Sequence, residues 1–364
     1  MTSELSEQPL DSTSFRRALL SWYRKSARDL PWRGTCDPYA IWLSEILLQQ
    51  TRVDQGLPYF ERFLRTFPTV QKLASAREDR VLKAWEGLGY YTRARNLHKA
   101  AKLIAYDRAG EFPRTAEDWQ TLPGVGRYTA GAIASIAFGE RAPVLDGNVI
   151  RVLSRLYDVR ECTDDPRVRE SLWQLAKRLV PAKNPGDFNQ AMMELGACVC
   201  TPKSPLCAAC PVQLHCAARA LGVQHERPVR KAKSRTPHQE TVAAAVQRDG
   251  RYLLVKRPES GLLGGMWEFP GGRVCAGESH VAALSRALRD QLGLRVKVRG
   301  VIATVQHAYT HFKVTLTVYA CDIVAGEPAI NGKLRWVSGK QFKKLALPKV
   351  VHKVLAVIGE NGWE

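Results

Sequence analysis

Two acidic residues of the chain, Glu45 and Asp146, stand in sequence settings that suit acid–base chemistry. Glu45 lies in the segment DPYAIWLSEILLQQ, close to Trp42, Ile46 and Leu48. A carboxyl group among apolar side chains has a raised pKa, which a general acid at neutral pH requires. Periodicity alone favours a different interpretation, in which Glu45 is simply exposed on an amphipathic helix.

Asp146 directly precedes a helix that the sequence predicts from Gly147 to about Leu156. An aspartate at this position is typical of a helix N-cap. We expect the helix start to be exposed, so that the carboxylate stays ionised beside the positive end of the helix dipole. A structural cap and an anionic catalytic group are therefore compatible roles for Asp146.

The elements that must position these carboxylates include a predicted helical hairpin with the sequence LPGVGRYTAGAIASIAF. Thr115 and Asp118 predict a capping box before its first helical turn. Gly124 and Gly126 permit a tight turn, because glycine adopts the left-handed conformation at little cost. A helix is predicted from Tyr128 to about Phe138. Such a turn presents backbone N–H groups to an anion, although an ordinary corner between two helices fits the same pattern.

Two further stretches have side chains suited to a DNA strand. The segment GLGYYTRAR, residues 87–95, places two tyrosines and two arginines after glycines. It suits insertion of an aromatic ring into a base stack with phosphates held alongside, and it suits a C-cap glycine before a core helix equally well. Gln50 and Thr51 follow the Glu45 helix and offer hydrogen-bonding groups.

Four of the nine cysteines are clustered in CTPKSPLCAACPVQLHC, at Cys200, Cys207, Cys210 and Cys216. Four thiolates in so short a loop form a closed ligand set, for which tetrahedral zinc is one chemical solution. Clustered rather than paired cysteines favour metal ligation in a reducing compartment over a disulfide framework.

Composition indicates the class of partner and the compartment. The chain has 364 residues and a net charge of +19, which favours a polyanionic partner, nucleic acid before membrane. No apolar run is long enough to cross a membrane, and the N-terminal MTSELSEQPL resembles neither a signal peptide nor a transit peptide. We expect a cytoplasmic protein, associated with the nucleoid if it is bacterial.

The pattern of elements predicts a multi-domain protein. Residues 1–216 read as an all-α region containing the hairpin, 115–138, and the cysteine loop, 200–216. A basic linker at 217–237 follows. Residues 238–364 then alternate several predicted strands with one helix, as in an α+β domain.

Over nearly its whole length the chain resembles adenine DNA glycosylases of the MutY family. The motifs PWR, DPYAIWLSEILLQQTRV, WEGLGYYTRARNL, LPGVGRYTAGAI, VLDGNVIRVLSRL and the four-cysteine loop match in order. The resemblance implies helix-hairpin-helix glycosylase domains, a six-helix barrel and an iron–sulfur domain, in which the four cysteines hold a [4Fe–4S] cluster. The related endonuclease III-like glycosylase/lyases carry a Schiff-base lysine after the hairpin, where this chain has Tyr128. The resemblance therefore implies a monofunctional enzyme.

The C-terminal region has the frame of a Nudix box, Gly272-x5-Glu278-x7-Arg286. Ala287, Asp290 and Gln291 stand where the box has glutamates, so we expect the Nudix-like fold without nucleotide hydrolysis. The resemblance implies that this domain recognises 8-oxoguanine opposite the target adenine. Its lesion-recognition loop corresponds to Tyr309, Thr310 and His311, in place of the more common Phe-Ser-His.

The resemblance also implies a role for each site residue. Glu45 protonates the flipped adenine, Asp146 stabilises the cationic sugar, and Tyr128 and Asn148 orient these groups. The expected partner is double-stranded DNA with adenine opposite 8-oxoguanine or guanine, bound by a monomer. The residues expected to contact it are Arg28, Trp32, Arg33, Leu48, Gln50, Thr51, Leu88, Tyr90, Gly124, Gly126, Tyr309, Thr310 and His311.

Two other classes of function are compatible with parts of the sequence. One is a DNA-binding module with a redox-sensing cluster, which would not need the pair Glu45 and Asp146. The other is a Nudix nucleotide hydrolase with an added DNA-binding domain, which the missing glutamates disfavour. A strand-cleavage assay distinguishes the glycosylase from the first, and a nucleotide triphosphatase assay tests the second.

Overall fold

The computed structural model describes residues 12–232, 236–259 and 261–360, without the side chain of Glu360. The N-terminal stretch 1–11 and part of the predicted linker, residues 233–235, lie outside the described residues. The chain forms two compact units: Met1–Ala74 with Lys99–Lys233, and Ser75–His98 with Ser234–Glu364. The domain boundaries expected at residues 216 and 237 stay a prediction.

Helices dominate residues 12–220, and a mixed sheet dominates the described residues that follow. The α-helices are α1 (Ser12–Ser26), α2 (Pro38–Leu48), α3 (Val53–Thr66), α4 (Val70–Ala74), α5 (Glu78–Ala84), α6 (Thr92–Lys102), α7 (Ala116–Gln120), α8 (Arg127–Phe138), α9 (Gly147–Leu156), α10 (Pro166–Leu179), α11 (Pro185–Glu194), α12 (Ala217–Ala220), α13 (His280–Leu292), α14 (Gly339–Phe342) and α15 (Lys349–Glu360). The strands are β1 (His238–Arg248), β2 (Arg251–Lys256), β3 (Trp267–Glu268), β4 (Gly271–Arg273), β5 (Arg295–Ala308), β6 (Lys313–Ala325) and β7 (Leu334–Ser338).

Helix α2 runs through the interior of the first unit. Asp37 caps it by accepting a 3.0 Å hydrogen bond from Tyr39 N, and Pro38 occupies its first position. Every residue from Tyr39 to Leu47 is buried, so α2 has no solvent-facing side over this stretch. This burial decides between the two interpretations of Glu45, because the carboxyl group lies in the core rather than on an exposed face.

The predicted hairpin is formed by α7 and α8. Thr115 caps α7 by accepting a hydrogen bond from Asp118 N at 3.1 Å. Gly124 has φ of 78°, as a tight turn requires. Gly126 has φ of −86°, so the expectation that both glycines are left-handed is wrong for this residue. Apart from the adjoining chain, no atom of the described residues lies within 4 Å of a Cβ built on Gly126, which leaves its backbone open to close approach.

The sheet of the second unit has the order β3-β2-β1-β6-β5, with β4 also paired to β1 and β7 to β2. Strand β1 is parallel to β6 and antiparallel to β2 and β4. Successive side chains of β1 face opposite sides of the sheet, as the strand period requires. Val242 and Ala244 pack with α13, whereas Ala243 and Ala245 pack with α15. One helix therefore covers each face of the sheet.

Among the described residues, no helix combines the length and the apolar character needed to cross a membrane.

Candidate active site

A cavity of about 670 Å³ in the first unit is lined by most of the residues predicted to act on the substrate. Helix α2 contributes Glu45 and Leu48, α8 contributes Tyr128, and the start of α9 contributes Asp146 and Asn148. These elements are separated by up to about a hundred residues in sequence, and their packing brings the two carboxyl groups into one space. The other predicted residues that line it are Arg28, Trp32, Arg33 and Thr51.

Glu45 is 8 % exposed. Burial raises its pKa to about 7, with Asp146 adding to the rise and the hydrogen bond from Tyr128 opposing it. The Tyr128 hydroxyl donates that bond to Oε2 at 2.7 Å. The raised pKa predicted from the apolar neighbours is therefore present. A carboxyl group with this pKa is available in both protonation states near neutral pH.

Asp146 caps α9, as predicted, by accepting a 2.7 Å hydrogen bond from Val149 N. Its other oxygen accepts from Asn148 Nδ2 at 2.8 Å. The expectation of an exposed side chain is wrong: Asp146 is half-buried, and burial raises its pKa above its usual value. Hydrogen bonds from Val149 and Asn148 and the charge of Arg151 oppose that rise. The hydrogen bonds from Val149 and Asn148 thus stabilise the ionised carboxylate of Asp146, whereas its burial destabilises that form.

Asn148 is fixed from behind by the segment that follows α11. Arg151 Nη2 donates to Asn148 Oδ1 at 2.9 Å and to Gly196 O at 2.7 Å. Gly196 lies directly against Asn148: a Cβ added to this glycine would be 2.6 Å from the Asn148 Cβ and 3.0 Å from its Cα. The amide that supports Asp146 therefore has little room to move.

Sequence reasoning missed Glu194, which organises one wall of the cavity. Its side chain is 1 % exposed and accepts from Arg28 Nη2 at 2.6 Å and from Arg33 Nη2 at 2.7 Å. Although burial favours the neutral acid, these hydrogen bonds hold the pKa of Glu194 at about 2. Arg28 and Arg33 were predicted to contact the substrate. Because charged groups in the interior need partners of opposite charge, this prediction also implied a carboxylate beside them.

Trp32 completes this part of the wall. Its ring is 8 % exposed and packs edge-on against Phe60, with ring centroids 5.1 Å apart. The cavity thus combines an apolar surface with fixed guanidinium groups, as a site for a flat, polar heterocycle requires.

Gln50 is exposed and is not among the residues that line the cavity. Its φ is 57°, and Tyr90, the other residue predicted to enter the base stack, has φ of 50°. A bulky residue in the left-handed region is strained, and such strain is most common at functional sites. Both roles stay predictions.

Tyr90 belongs to the second unit, as does the buried Leu88. The Tyr90 hydroxyl contacts the Thr310 hydroxyl directly, so two residues predicted from distant parts of the sequence meet. Arg93 lies over the Tyr90 ring, with its guanidinium carbon 5.5 Å from the ring centroid. Thr310 and His311 are exposed, as contact with DNA would require.

Tyr309 is half-buried, so its ring is not freely exposed for insertion between bases. Its ring packs against His307 and Phe312, with centroids 4.6 Å and 4.9 Å away, and burial raises its pKa to about 12. It lines a second cavity, of about 820 Å³, together with the ion pair of Arg257 and Glu268. Its predicted stacking on a base stays a prediction.

Two of the four clustered cysteines, Cys200 and Cys216, contact Arg155 near the C-terminal end of α9, and Cys207 and Cys210 lie in the loop between them. The buried Arg155 donates to Cys200 Sγ at 3.2 Å and to Thr201 O at 2.8 Å. Burial, with the charges of the three other thiols contributing, raises the pKa of Cys210 to about 11. Among the described residues, no group of three or more His, Cys, Asp or Glu side chains is arranged to hold a single metal ion.

The Nudix-type frame is present in the second unit. Glu278 and Arg286 form an ion pair at 2.8 Å, and the guanidinium group holds the pKa of Glu278 at about 2. Gln291, at one of the glutamate positions, donates to Gly271 O at 2.8 Å instead of offering a carboxylate. Ala287, at another, is buried.

Comparison with known proteins gives the class first. Residues 43–178 match the model of the HhH-GPD superfamily base excision DNA repair proteins, and residues 241–357 match the NUDIX domain. A thermostable thymine-DNA glycosylase of known structure superposes with a TM-score of 0.53 at 30% identity, over 58% of this chain and 97% of that one. Endonuclease III in a non-covalent DNA complex shares the fold, with a TM-score of 0.50 at 23% identity, over 59% of this chain and 99% of that one. The helical part is therefore a base-excision repair glycosylase fold.

The particular family follows from relatives that match nearly the whole chain. The adenine DNA glycosylase of Rattus norvegicus is 39% identical over 96% of this chain and 79% of its own length. The human enzyme is 38% identical over 95% of this chain and 74% of its own length. That of Buchnera aphidicola from Schizaphis graminum is 31% identical over 94% of this chain and 98% of its own length. The chain belongs to the adenine DNA glycosylase family and is a base-excision repair enzyme that acts on DNA.

Proposed function

We propose that the enzyme removes adenine paired with 8-oxoguanine or guanine in double-stranded DNA by hydrolysing the N-glycosidic bond of a flipped nucleotide. The main support is the meeting of Glu45 and Asp146 in one cavity. A glycosidic bond inside a duplex is inaccessible, so the adenine must leave the stack to reach these groups. A cavity of about 670 Å³ has room for a nucleoside.

Glu45 is the proposed acid. Its pKa of about 7 leaves a large protonated fraction at neutral pH, and transfer of that proton to a ring nitrogen makes adenine a neutral leaving group. As the bond between the sugar and the base breaks, its electron pair goes to the base. The Tyr128 hydroxyl bonds one carboxyl oxygen and so fixes the direction of the other.

Asp146 is the proposed stabiliser of the cationic sugar, either through its charge or as a transient nucleophile, as in retaining glycosidases. Val149 N and Asn148 hold its two oxygens and favour the anionic form. Water then adds to the anomeric carbon, displacing the Asp146 carboxylate if a bond to it has formed. The water's proton goes to the Glu45 carboxylate, and an abasic site remains. Asn148 has the supporting role, because its own oxygen is held by Arg151.

We further propose that the enzyme does not cut the DNA backbone. Schiff-base lyase chemistry needs an amine at the sugar carbon. None of the described residues that line the cavity is a lysine, and Tyr128 occupies the position after the hairpin. The alternative, an endonuclease III-like glycosylase/lyase, would require a lysine there.

Contacts to the duplex are proposed for three further elements. The hairpin at Gly124 and Gly126 binds a phosphate through backbone N–H groups, for which the open space above Gly126 gives access. Tyr90 and Gln50 fill the vacated step of the stack. Thr310, Tyr309 and His311 read 8-oxoguanine.

The proposed cofactor is a [4Fe–4S] cluster on Cys200, Cys207, Cys210 and Cys216. The donor set supports this group, because Cys200 and Cys216 both contact Arg155 at the end of α9, and Cys207 and Cys210 belong to the loop between them. When bound, the cluster cross-links the loop and carries no step of base removal. We also propose that the enzyme acts as a monomer, in the compartment that holds the cell's DNA.

The test is a strand-cleavage assay on duplexes that place adenine opposite 8-oxoguanine, guanine or thymine. We expect cleavage only after alkali treatment, fastest opposite 8-oxoguanine, and no covalent adduct on borohydride addition. Cleavage without alkali, together with borohydride trapping, would establish the lyase alternative. Failure to release adenine from any duplex would favour the non-catalytic DNA-binding protein.

The Nudix hydrolase alternative is tested separately. Nucleoside triphosphates incubated with the enzyme and magnesium should stay intact, because only Asp290, of the three glutamate positions of the box, offers the metal a carboxylate.

A further inference from the structure

The carboxylate of Glu86 joins the Tyr90 segment to the Nudix-like fold within the second unit. Glu86 Oε1 accepts from Leu347 N and from His352 Nε2, each at 2.9 Å. Lys83 contacts its other oxygen and also donates to Leu345 O at 2.9 Å. Burial favours the neutral acid, but these donors hold the pKa of Glu86 below its usual value, so the carboxylate is charged when it makes these contacts.

The turn between Glu86 and Tyr90 is itself tightly bonded. Trp85 Nε1 donates to Gly89 O at 3.0 Å, and Gly87 N donates to the Tyr91 hydroxyl at 3.0 Å. The Arg93 guanidinium carbon lies 5.1 Å from the Trp85 ring centroid and 5.5 Å from that of Tyr90. A displacement of Glu86 is therefore transmitted to the Tyr90 ring rather than absorbed by a flexible turn.

Helix α15 connects the same carboxylate to the loop that carries Thr310. His352 bonds Glu86, and the next residue, Lys353, donates through Nζ to Gln306 O at 2.6 Å. Gln306 is near the end of β5, which leads into Thr310, and the Thr310 hydroxyl contacts the Tyr90 hydroxyl. The contacts thus form a closed ring: Glu86, α15, the end of β5, Thr310, Tyr90 and back to Glu86.

We infer that Glu86 is a positioning residue for recognition of the base opposite adenine, because it keeps the Tyr90 hydroxyl and the Thr310 hydroxyl aligned. The inference rests on the proposed function, in which Tyr90 enters the stack and Thr310 reads the opposite base. Glu86 touches neither DNA strand in this scheme. Its effect should appear in the choice between opposite bases and not in the chemistry at Glu45, which belongs to the first unit.

The test compares single-turnover adenine release opposite 8-oxoguanine and opposite guanine, as a ratio that is independent of the active fraction. Glu86→Ala should lower this ratio by about 2- to 30-fold, the usual range for mutations along a connecting network. His352→Ala, at an exposed side chain, should lower it in the same direction. Glu86→Gln keeps an oxygen acceptor for Leu347 N and should restore part of the loss. Glu327→Ala removes an exposed ion pair with Arg248 in the same unit and should leave the ratio unchanged.

A double-mutant cycle separates positioning from general damage. If Glu86 acts through Thr310, the combination of Glu86→Ala and Thr310→Ala should lose no more preference than Thr310→Ala alone. Fully additive losses, or an unchanged ratio in both Glu86→Ala and His352→Ala, would overturn the inference. A wild-type enzyme without preference for 8-oxoguanine would instead overturn the proposed function, so the two failures are distinguishable.

Discussion

At the scale of single residues, two buried carboxyl groups of the cavity have opposite pKa shifts: burial raises the pKa of Glu45 to about 7, whereas Arg28 and Arg33 hold that of Glu194 at about 2. The raised pKa of Glu45 follows from the apolar residues around it on α2, and these are visible in the sequence. Glu194 was missed because its partner Arg33 is 161 residues away, and no local pattern reports such a pair. The raised pKa of Asp146 was missed for the same reason, since the cavity that it lines is formed by elements distant in sequence.

Glu45→Gln should abolish adenine release and should stabilise the protein. The amide keeps the shape and still accepts from Tyr128, but it has no acidic proton to give. In the wild type, the Glu45 carboxyl group has a pKa near 4.5 in the unfolded chain and about 7 in the folded protein. The free energy of unfolding therefore falls as the pH rises between these two values. The variant avoids this loss, so above pH 7 it should be more stable by up to about 3 kcal/mol, at about 1.4 kcal/mol per pKa unit.

Denaturant unfolding at several pH values measures the stability difference, which should vanish near pH 4. The same preparation should bind the lesion duplex like the wild type. Substantial adenine release by this variant would rule out Glu45 as the acid.

Tyr128→Phe should move the pH dependence of adenine release. The hydrogen bond from the Tyr128 hydroxyl stabilises the ionised form of Glu45, so its loss raises the pKa of Glu45 further. Release by the wild type should decline as the pH rises through about 7, and in the variant that decline should occur at higher pH. Single-turnover rates from pH 5 to 9 measure the shift independently of any change in the maximal rate. A decline at unchanged or lower pH would contradict this role of the hydrogen bond.

At the scale of elements, capping and composition were enough to place α2, α8 and α9 correctly. Asp37 with Pro38, the small residues after Gly126, and Asp146 before Gly147 are signals that operate within a few residues. The short strands β3 and β4 and the helix α15 were not predicted. Two- and three-residue strands form only because β1 and β2 offer them hydrogen bonds, which the sequence alone does not reveal.

Arg155→Met should loosen the cysteine loop. The guanidinium group donates to Cys200 Sγ, to Thr201 O and to Gln224 O, and methionine leaves these acceptors unbonded. We expect less iron and sulfide per chain and a lower Tm. Arg160→Met removes an exposed arginine shortly after α9 and serves as the control. Equal iron content in both variants would show that Arg155 does not support the cluster loop.

At the scale of the whole molecule, the division into units was the least predictable feature. Residues 75–98 lie within the helical motifs of the family, yet they cluster with Ser234–Glu364. Specific contacts join the two segments. Lys256 and Asp79 form an ion pair at 2.7 Å, and Arg95 donates a hydrogen bond to Gly264 O. Such contacts involve ordinary surface residue types, so neither composition nor periodicity marks them.

A chain truncated after Ala232 should lose both stability and preference. It keeps Glu45, Asp146 and the four cysteines, so adenine release should persist. It leaves Glu86 and Asp79 without their partners and lacks Thr310, so the preference for 8-oxoguanine over guanine should fall by roughly one to two orders of magnitude, given 1–3 kcal/mol per recognised base. Thermal unfolding and paired single-turnover assays measure the two effects. A truncated enzyme with full preference would place lesion recognition in the N-terminal part.

Because Gly196 lies directly against Asn148, inherited substitutions of this glycine should affect repair. Even a methyl group at this position overlaps the Asn148 backbone, so every one of the other nineteen amino acids should displace it. A single-nucleotide change in this codon should thus impair repair while leaving the proposed DNA contacts and both proposed catalytic carboxylates, Glu45 and Asp146, in the encoded protein. Genetic screens that score only residues facing the substrate would classify such an allele as harmless, although we expect it to behave as a loss of function.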